Sequence, residues 1–145
     1  MSTGLPAFDT TVQESNAWLK AIEDGLPPCD RQQAYAAFRA VSHVLRDRLP
    51  MDAVLGLSAQ LPMLLRGVFL EGWRPVGSSL DVRTADEFAA EVERRFPPSF
   101  PRRANEAAEA VFRVMVERLD PGESRKLVQR LPGPLKALWP VVHAA

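Results

Sequence analysis

Two histidines, one cysteine and a set of arginines around a proline-rich loop are the chemically versatile side chains of this sequence. His43 sits on the polar side of a predicted helix and His143 lies near the C-terminus, with no HxxxH or HxxE spacing to make them a metal-ligand pair. Cys29 lies in the turn LPPCD, where the neighbouring Asp30 carboxylate disfavours a thiolate, so it reads as an unreactive loop thiol. A lone cysteine cannot form an internal disulfide and suits a reducing compartment. No GxSxG, P-loop, GxGxxG or CxxC occurs, and the eight glycines are scattered. Acidic residues such as Glu91 and Glu93 run into Arg94 and Arg95, which describes a solvated helical face rather than an acid/base pair. The expectation is therefore a protein with no catalytic residue, no cofactor and no metal site.

Binding candidates are more concrete. Arg94, Arg95, Arg102 and Arg103 bracket FPPSFP, and basic residues interleaved with Phe96 and Phe100 can grip a nucleic-acid strand. Against that reading, 18 basic residues balance 18 acidic ones across the 145 residues, so no global field attracts nucleic acid or anionic lipid. The second candidate is LPMLLRGVFLEGW, from Leu61 to Trp73, which is apolar almost all round with Arg66 and Glu71 its only charges. It is too short and too interrupted to span a bilayer, which takes roughly 20 apolar residues. Either it is a buried spine, or it offers a docking face through Leu64, Val68, Phe69, Trp73 and Arg74, residue types that dominate interface hot spots.

These residues need helices to hold them, and helical punctuation recurs along the chain. Thr11 and Glu14 have capping-box spacing, with Phe8 as a staple. After LPPCD, Asp30 can cap a second helix whose stripe is Ala34, Ala37, Phe38, Val41, Val44, Leu45 and Leu49, with Arg39, Ser42, His43, Arg46 and Asp47 facing water. A short segment then runs from Pro50 to near Gln60, and the Leu61 to Trp73 helix follows Pro62. VGSSLDVR reads as a linker. Beyond it Thr84 and Glu87 repeat the cap, FPPSFP repeats the break, and a long helix from about Arg103 to Leu119 turns Val111, Val114, Met115 and Leu119 inward. Asp120 caps the next segment and LPGPLKALW ends the pattern.

The recurrence has a fixed period. Adding 70 to a residue number maps Pro27 and Pro28 onto Pro97 and Pro98, Ala34 and Ala37 onto Ala104 and Ala107, and Ala40 and Val41 onto Ala110 and Val111. Arg48 and Leu49 fall on Arg118 and Leu119, and Leu61 and Pro62 on Leu131 and Pro132. A gapless register that pairs the proline breaks points to an internal duplication. The expected architecture is all-α, about eight helices arranged as two tandem four-helix repeats sharing one core: repeat 1 over 8–75, a linker over 76–83, repeat 2 over 84–140. The terminal helices of the two repeats are expected to pack centrally between the halves, with Arg66 and Lys136 carrying their charges outward.

Through VLRDRLPMDAVLGLSAQLPMLLRGVFLEGW the chain resembles the bacterial domain-of-unknown-function family numbered twenty-two sixty-seven. The likeness rests on a long helix ending LRDRLP, a short segment reaching AQLP and the LLRG helix ending EGW, and it extends from about Phe8 to Pro140. It implies a cytoplasmic, all-helical bacterial protein and carries no catalytic residue, cofactor or substrate. MSTGLPAFDTT, with neither a basic nor an apolar signal region, agrees with a cytoplasmic location.

Three functions follow as expectations. The first is a non-catalytic helical interaction or scaffold protein, self-associating or docking a protein partner. The second is a carrier of a small apolar molecule or lipid, with its pocket between the repeats. The third is nucleic-acid binding along residues 94–103.

Overall fold

The computed structural model describes residues 2–75 and 80–140, all of whose regular structure is helical. Seven α-helices are α1 (Pro6–Asp24), α2 (Arg31–Arg48), α3 (Met51–Gln60), α4 (Met63–Leu70), α5 (Ala85–Arg95), α6 (Ala104–Arg118) and α7 (Pro121–Gln129). A 3-10 helix over Gly133–Leu138 ends the described chain. The protein is thus all-α with eight helical elements, as the punctuation predicts.

Helix ends follow local chemistry. The Asp30 carboxylate accepts the Gln33 N–H at 2.8 Å while the Gln33 side chain accepts the Asp30 N–H at 3.2 Å, a complete capping box for α2. Thr84 caps α5 through the Glu87 N–H at 3.1 Å, and Asp120 caps α7. The Thr11–Glu14 cap does not form. Helix α1 starts earlier because Pro6, with φ fixed at helical values and no N–H to leave orphaned, occupies its first turn. Thr11 is instead buried inside α1, and its hydroxyl accepts the Leu64 N–H at 3.1 Å, tying α4 to α1.

Helices α2 and α6 form the centre. Helix α2 touches α1, α4, α5 and α6; helix α6 touches α1, α2, α5, α7 and the 3-10 helix; α3 packs on α7. The predicted stripe of α2, from Ala34 to Leu49, is buried throughout, as are Val111, Val114, Met115 and Leu119. The predicted water-facing side of α2 is not. Ser42, His43 and Arg46 are buried too, because α4 covers that side.

Helix ends recur at the interval of 70: α2 ends at Arg48 and α6 at Arg118, α3 begins at Met51 and α7 at Pro121, α4 at Met63 and the 3-10 helix at Gly133. Buried positions recur as well, including Trp18 and Phe88, Leu57 and Leu127, and Phe69 and Trp139. One exchange keeps the volume while moving it a turn: Phe38 and Ser42 in α2 stand at the register positions of Ala108 and Phe112 in α6. Phe38 meets Trp18 edge-on at 6.5 Å, and Phe112 meets Phe88 at 5.6 Å.

The central placement of the terminal helices is corrected. Helix α4 packs on α1, α2 and α3, and the 3-10 helix on α5 and α6, while α2 with α6 and α3 with α7 join the halves. Only one side of the Leu61 to Trp73 stretch is buried, through Leu61, Leu65 and Phe69, because two turns of helix lying on α2 cannot be covered all round. The linker is partly fixed: residues 76–79 fall outside the described residues, but the Leu80 N–H donates to the Asp47 carbonyl at 3.1 Å. Arg48 donates to the Val82 carbonyl at 2.7 Å, and Val82 is buried. LPGPLKALW forms a 3-10 turn rather than an α-helix, since Gly133 and Pro134 are poor helix formers.

The two sides of α4 differ measurably in energetic weight. Phe69→Ala should cost about 3 to 5 kcal/mol in urea unfolding, the range for a fully buried ring. Leu64→Ala, on the open side, should shift stability by about 0.5 kcal/mol or less.

Candidate functional site

The predicted docking residues do not form one face. Phe69 is core, excluded from any partner. Val68 is half-buried, and Trp73 packs half-buried against the core where Gly72, at φ +75°, turns the chain out of α4. Leu64 and Arg74 are exposed.

Leu64 has different neighbours from those the sequence suggests. Its hydrogen bond to Thr11 places the start of α4 beside the first turns of α1, and Phe8 lies one turn before Thr11 on the same side of that helix. Leu5 is 46% exposed, Phe8 51%, Met63 55% and Leu64 49%. Leu5, Phe8 and Met63 are the residues missed. The available signal was Pro6, which as a helix start moves Phe8 from a staple into the helix surface.

Behind this face, α2 supplies a buried polar cluster to the exit of α4. The Arg46 guanidinium donates to the Phe69 carbonyl at 2.9 Å and to the Glu71 carbonyl at 2.7 Å, and pairs with Asp47 at 2.8 Å. Arg95 on α5 reaches the same carboxylate at 2.9 Å. His43 Nε2 is 2.7 Å from the Val68 carbonyl, so that nitrogen carries the proton, and Arg39 meets the Glu71 carboxylate at 2.9 Å. The carbonyls left over at the end of α4 are thus satisfied from a neighbouring helix, which serves as a C-cap in trans. Burial would raise the Asp47 pKa, but hydrogen bonds and charge from Arg46 and Arg95 outweigh it and hold the carboxyl below its usual value. Burial pushes His43 below its usual value, with the Arg46 and Arg39 charges adding to it. The cluster holds a helix end and contains no nucleophile.

The basic edge is spent largely on the protein itself. Arg94 pairs with Glu91, Arg95 with Asp47, and Arg102 with the Pro28 carbonyl across the LPPCD turn. Arg103 is exposed at the N-cap position of α6. Phe96 and Phe100 stack on each other at 4.2 Å, half-buried against the core. Arg66 bends back to the Ser58 and Leu61 carbonyls at the end of α3. The Cys29 thiol is pushed up by burial and then by Asp30 and Glu23. His143 lies outside the described residues.

Where α3 meets α7, a crevice of about 180 Å³ is lined by Asp52, Glu123, Lys126 and Arg130 over Leu57 and Leu119. Arg130 closes one side with a two-point bond to Asp52 at 2.6 and 3.0 Å. A larger and more apolar groove, about 540 Å³, lies within the second half, between α6, α7 and Trp139. Among the described residues no group of three or more His, Cys, Asp or Glu could hold a metal ion, and no helix is long and apolar enough to cross a membrane.

Residues 15–138 match the model of a family described as Uncharacterized conserved protein (DUF2267). The chain belongs to this family. The match takes in every element from the middle of α1 to the final 3-10 helix, while Leu5 and Phe8 precede it. No curated protein matches the chain.

The buried imidazole gives a pH signature. A histidine that is harder to protonate folded than unfolded stabilises the fold fully above about pH 6.5, and that contribution is lost as pH falls below it towards the lower folded value. Asp47, held down in the fold, contributes above about pH 4 and loses it only below. Urea midpoints between pH 8 and pH 5 should therefore fall in the wild type and be nearly flat in His43→Gln. Parallel slopes in the two proteins would contradict this account of His43.

Proposed function

We propose that this protein is a non-catalytic helical interaction module that associates with a second copy of itself through the α1–α4 face. The supporting observation is the exposure of Leu5, Phe8, Met63 and Leu64 at the starts of two helices that the Thr11–Leu64 hydrogen bond ties together. Neighbouring exposed apolar side chains of this size stay in contact with water at a cost that a partner surface removes. The face also has no counterpart in the second half. Helix α5 begins at Ala85, so the first nine residues of α1 are not repeated, and Gly133 and Pro134 stand where the register would place Met63 and Leu64. An apolar face confined to one half of a periodic chain suits a docking role better than a general packing role. A location in the cytoplasm is part of this reading, supported by the lone half-buried cysteine.

Light scattering across tens of micromolar should give a mass above the 16.1 kDa of one chain. Phe8→Asp and Leu64→Asp should return it to the single-chain mass, with the urea midpoint that the wild type reaches on dilution to single chains. A wild type that stays at the single-chain mass throughout would remove the self-association reading.

A further inference from the structure

The groove of the second half lies where the two halves differ in sequence, at position 116 among others. Position 46 of the first half is Arg, and its guanidinium lies under the end of α4 on the Phe69 and Glu71 carbonyls. Seventy residues later the same place on α6 is Val116, which is shorter and apolar, and the helix above it is the 3-10 turn ending at Trp139. Val116, Val128, Trp139 and two prolines, Pro121 and Pro140, wall an open groove of about 540 Å³. That volume lies within the roughly 300 to 1,000 Å³ of small-molecule sites. Arg125 borders it, exposed and with no acidic partner among the described residues, and the buried Ser124 lines its floor.

We propose that this groove binds a medium-chain monocarboxylate, its hydrocarbon tail against Trp139, Val116 and Val128 and its carboxylate on the Arg125 guanidinium. The walls offer apolar contact and the rim offers one cation whose planar fork matches a carboxylate. An anionic head with a short apolar tail satisfies both, whereas a neutral hydrocarbon leaves the cation unused. The site is separate from the α1–α4 face and lies within one half of the chain.

The test is calorimetric titration of the full chain with octanoate and, separately, 1-octanol. Octanoate should bind at one saturable site. Val116→Arg, which puts the residue found at position 46 into the groove wall, should weaken octanoate at least twentyfold, and if it fails to fold, Val128→Trp at the half-buried wall replaces it. Arg125→Gln should weaken octanoate about tenfold and leave octanol unchanged. Absence of saturable octanoate binding, unchanged binding in the wall variant, or equal loss of octanoate and octanol in Arg125→Gln would each overturn the proposal. So would binding of a short peptide with an apolar C-terminus where octanoate fails.

Discussion

Helix α2 is covered over most of its circumference, and it carries groups that are expensive to cover. Arg46 and His43 can leave water because the Val68, Phe69 and Glu71 carbonyls at the end of α4 accept their hydrogen bonds. Each defect cancels the other: α4, two turns long, gains the cap that its sequence lacks, and α2 gains acceptors for its buried donors. Asp47 and Arg95 then balance the Arg46 charge and draw α5 to the same point. One junction thus fixes the relation of three helices.

Much of this organisation is readable from residue order. Asp30, Thr84 and Asp120 act as caps where their spacing places them, and both apolar stripes of the long helices are buried as written. What escaped was the second side of α2. Periodicity marks one apolar stripe, and a helix also covered by a polar contact leaves no periodic signal. Ser42, His43 and Arg46 therefore read as solvated. The exposed α1–α4 face escaped for a related reason: the apolar run from Leu61 to Trp73 gives no clue as to which side faces the core, and Leu5 and Phe8 lie far away in sequence. Thr11 lies inside α1 rather than at its cap because Pro6, nearer the helix start, sets the first turn.

The two halves place several helix ends 70 residues apart but fill the space between them differently. Large rings are placed a turn apart in α2 and α6, so Phe38 and Phe112 fill the interior from different heights. Position 46 is a buried arginine bonded to the end of α4, whereas Val116, at the same register in α6, lines an open groove. The apolar first turns of α1 exist once.

The strap formed by Leu80 and Val82 on the end of α2 bears on how copies of the chain can trade parts. Exchange of one half between two molecules would have to peel residues 80–82 from Asp47 and Arg48 and also separate α2 from α6 and α3 from α7. The strap thus adds to the contacts that hold the two halves of one chain against each other.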